Sequence, residues 1–220
     1  MGIQALHDPP DRTHYEELAN SITHGLGVLL GVAGLVALVV LAARRGQAVH
    51  IVSCSVYGAT LILLYLASTL YHALRPGKAK DFFQIMDHSA IFMLIAGTYT
   101  PFTLVSMRGA WGWSLFGIVW GLAFIGILFK ILSKRRFSGF SIAIYVAMGW
   151  LVVVAIKPLF ASMPMPGIGW IVAGGLCYTG GLFFYVRGRI PFYHTIWHVA
   201  VLAGSAFHYV AVMGYVIPMA

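Results

Sequence analysis

Two histidines stand four residues apart in the stretch TyrHisThrIleTrpHis, at His194 and His198. On a helix that spacing is about 40° of rotation and about 6 Å of rise, so both imidazoles leave one face. Such a pair can ligate one metal ion, as in helical zinc motifs; paired interfacial histidines with no metal are the alternative. His72, in the stretch SerThrLeuTyrHis, shares a helix face with Ser68 by the same spacing. Asp87 is the one acidic residue of the six that abuts an apolar run. A carboxylate there is expensive unless it faces the protein interior with a partner. Lys80, Arg75 or a bound cation would serve. Three neutral imidazoles with a carboxylate, or with a water that the carboxylate holds, form a common tetrahedral zinc arrangement.

These residues must be positioned by elements that live in lipid. The chain has 220 residues, 60% hydrophobic and only 9% charged. A soluble domain carries about 25% charged residues, so there is too little polar surface here to wrap a globule. Apolar runs of membrane-spanning length occur at about 22–43, 50–74, 85–106, 110–130, 138–157, 167–187 and 194–217. Seven such spans fill the chain, which predicts an all-α, seven-helix membrane bundle forming a single domain over 1–220. Residues 1–21 would be a short tail. That tail holds Asp8, Asp11, Glu16 and Glu17 against Arg12 alone, which does not read as a cleavable signal peptide. Pro101 is expected to kink the third span. Cys54 and Cys177 are solitary thiols in apolar runs.

The +8 net charge invites a nucleic-acid reading, but the basic residues fall in loops between spans. That distribution is a topology signal. Arg75, Lys78, Lys80, Lys130, Lys134, Arg135, Arg136, Arg187 and Arg189 share one side with Arg12, against Arg44, Arg45, Arg108 and Lys157 on the other. The asymmetry predicts a cytoplasmic N-terminus and an outer C-terminus in a multi-pass cell (inner or plasma) membrane protein. The expected partners are membrane lipids; the sequence points to no soluble protein partner and leaves oligomeric state open. The same orientation puts His72, Asp87, His194 and His198 at one depth, near the inner face. His24 opens the first span near Glu17, as a support to the site or a packing residue. His7, His14 and His50 are expected in solvent. His88 projects about 100° from Asp87, and His208 lies about 21 Å beyond His194 along the helix, too far to bind the same ion.

Five ordered segments carry a resemblance over nearly the whole chain: Glu16–Gly27, Ser68–His72, Asp87–Phe92, Ala96–Phe102 and His194–His198. The sequence resembles the hemolysin III family, the bacterial branch of the progestin and adiponectin receptor superfamily. The resemblance implies an intramembrane zinc held by His72, His194 and His198. It implies that Asp87 holds the zinc-bound water, with Ser68 beside it, and that the biological role lies in membrane homeostasis. About twenty residues precede the first span, fewer than in the receptor branch, so an adiponectin-like ligand does not follow.

Three functions are open to such a site. In the first, the protein is a zinc-dependent lipid hydrolase, an amidase of ceramidase type, with Asp87 as general base and Ser68 as a hydrogen-bond donor. In the second, it is a non-catalytic sensor or regulator of membrane state, with zinc as a structural staple. The third, a pore-forming haemolysin, would need polar residues recurring along several helices, and the polar cluster instead sits at one edge.

Overall fold

Thr13 starts the first helix, α1 (His14–Arg45). Its hydroxyl accepts from the Glu16 amide while the Glu16 carboxylate accepts from the Thr13 amide, a reciprocal capping box. The helix therefore begins about two turns before the apolar run at 22, and it draws Glu16 and Glu17 out of the expected tail. The computed structural model describes residues 13–133, 138–187 and 190–217. His7 lies outside them.

α2 (Ala48–Ala73) is capped at its start by His50, whose Nδ1 accepts from the Gln47 amide at 3.0 Å. His50 is buried rather than solvated, because the helix starts ahead of it and folds its ring against the cap. α3 (Lys78–Pro101) also begins earlier than its apolar run, and it continues as a π-helical stretch at Phe102–Met107. Pro101 lacks the amide that would bond Gly97, and the wider π turn follows directly. Gly97 packs against Thr60 of α2 so closely that a Cβ would overlap its side chain. α4 (Gly109–Ser133) follows a tight turn through Arg108 and Gly109, both at positive φ.

The fifth crossing is broken. α5 (Ser138–Gly149) ends in a 3-10 turn at Leu151–Ala155 before α6 (Ile156–Ser162) resumes. The span thus reaches Ser162, beyond the 157 expected from the apolar run. Backbone groups freed inside a membrane must find partners. Tyr99 of α3 supplies them: its phenol donates to the Gly149 carbonyl and accepts from the Val152 amide, each at 2.9 Å.

α7 (Met165–Arg187) and α8 (Tyr193–Tyr215) complete the chain. Among the described residues, seven helical stretches are long and apolar enough to cross a membrane. α1 packs on α2, α2 on α3, α3 on α4 and α7 on α8, and α8 returns to α1. Large apolar side chains such as Leu29, Leu30, Phe124, Ile125 and Val154 face outward, while histidines, serines, threonines and tyrosines are buried. That inversion suits a bundle whose solvent is lipid. Cys54 and Cys177 are free thiols.

Candidate metal centre

Three helices bring the site together. His72 ends α2, while His194 and His198 occupy the first two turns of α8. All three are buried, and one ring nitrogen of each lies within 4.8 Å of the others. That separation is near what bonds of about 2 Å to a single ion require. The four-residue spacing of His194 and His198 brings both rings to one face of α8, where His72 meets them.

The rings are oriented from behind, largely by α1. Nδ1 of His72 lies 2.6 Å from Oε2 of Glu17. A carboxylate accepts, so Nδ1 carries the proton and Nε2 is left with its lone pair. His198 Nδ1 lies 3.2 Å from the Asn20 carbonyl oxygen, which fixes the same tautomer. A metal-ligating histidine usually donates its outer N–H to a carboxylate or carbonyl in this way. Glu17 is itself held by Lys80, 3.4 Å from Oε1, and Lys80 also donates to the Tyr71 and Leu74 carbonyls at the end of α2. Lys80 therefore serves Glu17. The start of α8 is pinned by the same helix: Glu16 accepts from the Phe192 amide at 2.9 Å, and Thr195 donates to Asn20 Oδ1 at 2.6 Å. Phe192 holds a left-handed conformation at this cap (φ 57°), a strained choice for a bulky residue that the Glu16 bond helps to retain.

His24 stacks flat on His198, centroids 3.6 Å apart, and meets Tyr65 edge-on at 5.0 Å. It is a wall of the ligand ring. Asp87, also buried, stands outside the converging trio but lines a cavity of about 50 Å³ with His24, His194 and His198. Ser68 is fully buried one turn before His72, and its hydroxyl bonds no described residue. His88 lines the cavity without joining the trio, and His14 is exposed. His208 sits ten residues beyond His198, about 15 Å along α8, and takes no part in this cluster.

The profile of the family described as "Haemolysin-III related" matches residues 12–209. The chain belongs to the haemolysin III family. "Hemolysin-3" of Bacillus cereus is 47% identical over 93% of this chain and 94% of that protein. The "Hemolysin-3 homolog" of Bacillus subtilis (strain 168) is 49% identical over 91% and 94%. The human "Monocyte to macrophage differentiation factor" is 26% identical over 92% and 85%, which supports the wider progestin and adiponectin receptor superfamily.

This haemolysin III site holds residues that the sequence reading passed over. Glu17, which the apolar run leaves in the tail, faces His72. Lys130, a loop cation by its place next to a basic loop, is 2% exposed and lines the cavity with Asp87, Ser141 and Tyr145. Its signal was present in the sequence: Leu115, Val119, Ala123, Gly126 and Lys130 recur at three- and four-residue steps and form the buried stripe of α4. A lysine on that stripe must enter the bundle.

Proposed function

We propose that this protein binds zinc at His72, His194 and His198 and hydrolyses the acyl amide of a membrane lipid near the inner face, contributing to membrane homeostasis. The observation that carries the reading is the convergence of three buried imidazoles whose rings are set from behind, at His72 by a carboxylate and at His198 by a carbonyl. Three neutral nitrogen donors suit zinc, and three protein ligands leave a position for a reactant. Bound there, the metal would acidify a water and polarise a carbonyl.

The chain's own residues supply the rest. Asp87 lines the same cavity, which supports reading it as the base that takes a proton from the attacking water. It returns that proton to the nitrogen as the carbon–nitrogen bond breaks and the new carbon–oxygen bond closes the acid. Ser68, buried beside His72, donates a hydrogen bond that steadies negative charge on the reacting oxygen or on Asp87. The cavity lies between apolar helices, so a lipid reaches it with its head-group linkage at the polar end and its chain among apolar side chains. The cytoplasmic N-terminus read from the loop charges would put this end at the inner leaflet.

The test is release of fatty acid from a ceramide by the purified protein, with zinc measured on the same sample. Asp87→Asn should lower turnover by at least about a hundredfold while zinc is retained. Unchanged turnover in that variant would remove Asp87 from the chemistry. Bound zinc with no cleavage in the wild type would make the metal a structural staple.

A further inference from the structure

One imidazole at the metal end makes no hydrogen bond. His24 of α1 is 3% exposed, and neither of its ring nitrogens bonds a described residue. It is not one of the converging ligands. The rings on either side of it in the cluster are tied by their outer nitrogens, His72 to Glu17 and His198 to the Asn20 carbonyl. His24 is held by packing instead. It lies 3.6 Å from His198 and 5° from parallel, and it meets Tyr65 edge-on at 5.0 Å. Gly27, three residues on, has no Cβ to push that Tyr65 ring away.

Packing alone does not call for an imidazole there. A phenylalanine would fill the same stack without two buried polar atoms to satisfy, and buried polar groups are normally bonded. Whichever nitrogen carries the proton, the ring offers at least one N–H. His24 also lines the cavity of Asp87, His194 and His198. A group that reacts between Asp87 and the ligand cluster therefore passes beside an unused donor. An acyl carbonyl has the matching acceptor. Its oxygen gains negative charge as water adds to the carbon, so a fixed donor stabilises the transition state more than the bound substrate.

We propose that His24 is a further catalytic residue, its ring N–H donating to the carbonyl oxygen of the amide being cleaved. The role rests on the amide-hydrolysis reading, and it adds a donor on α1 to Ser68 on α2. His198 fixes the face of the ring, and the ring needs no change of partner to act.

The test uses the full-length, zinc-loaded protein in nanodiscs and two measurements. The first is ceramide cleavage, separated into kcat and KM. The second is the affinity, by calorimetry, for a phosphonate analogue of ceramide in which a tetrahedral phosphorus oxyanion replaces the amide carbonyl. His24→Phe keeps the stack on His198 but removes the donor. It should lower kcat by about a hundredfold with KM little changed. Affinity for the phosphonate should fall by at least about tenfold, as expected for a lost hydrogen bond to a charged oxygen. Zinc content should stay at the wild-type level. His24→Asn and His24→Gln place an amide N–H near the two ring nitrogen positions, and one of them should recover part of both losses. Cleavage by the wild type that His24→Phe leaves intact would overturn the proposal and leave the hydrolysis reading standing. Loss of zinc in His24→Phe would also overturn it, since the ring would then only support the ligands. A wild type that cleaves no ceramide would fail the hydrolysis reading itself. The phosphonate then decides on His24 alone: equal affinity in wild type and His24→Phe removes the donor role, and a tenfold loss keeps it.

Discussion

At the start of α8, His194 and His198 lie beside Asp87 and Lys130 in one cavity, with Glu17 and Asn20 behind the cluster, whereas ten residues further along His208 meets a backbone carbonyl, a tyrosine face and apolar walls. The residue type, the helix and the depth of burial are shared. The company differs. A histidine becomes a metal ligand when other imidazoles converge on its lone pair and a carboxylate or carbonyl holds its outer proton. The same ring with one tied nitrogen and no convergent neighbours is a single hydrogen-bond acceptor. Three strands of evidence can break or sharpen that contrast.

The largest effect separates the two ends outright. His194→Ala/His198→Ala removes two of three ligands, so zinc measured by elemental mass spectrometry should fall from about one per chain to background. His208→Phe should leave it unchanged. Zinc lost in both variants would mean that the ends are not independent. The next effect lies behind the ligands. Glu17→Gln keeps the shape but weakens the hold on His72 Nδ1, and replacing such an outer partner typically lowers metal affinity by about ten- to a hundredfold. Competition with a zinc chelator reads this directly, and an affinity equal to the wild type would reduce Glu17 to a helix-end charge.

That difference in company also explains what was legible in the sequence. Run lengths gave the seven spans because hydrocarbon thickness sets a length that apolar residues must cover. The i,i+4 spacing brought His194 and His198 to one face, and the histidine at the end of α2 joined them. Glu17 was hidden because the capping box extends α1 past its apolar run, into residues that read as tail. Lys130 was hidden because a cation next to a basic loop looks like a loop cation; only the three- and four-residue stripe on α4 argues otherwise. The break at Gly149–Ala155 leaves no mark in hydropathy, since the residues there are as apolar as their neighbours. What permits it is Tyr99, fifty residues away, and no local pattern reports that contact.

The smallest effect tests the His208 end without touching the histidine. Gly174 of α7 faces the His208 ring so closely that an added Cβ would overlap it. The ring has little freedom to yield, because Tyr178 stacks on one face and Nδ1 is tied to Gly204. Gly174→Ala should therefore overpack this end and lower stability by about 1–3 kcal/mol, visible as an earlier thermal loss of the monodisperse peak in size-exclusion chromatography. Zinc content should stay at the wild-type level, because α1 orients His72 and His198, and Tyr185, the α7 residue that packs on His194, lies about three turns from Gly174. A Gly174→Ala protein that keeps its stability would show that the His208 ring yields freely to the added methyl. One that loses zinc would show that α8 transmits strain over about 15 Å between its two groups of histidines, and the contrast between them would then be one of degree.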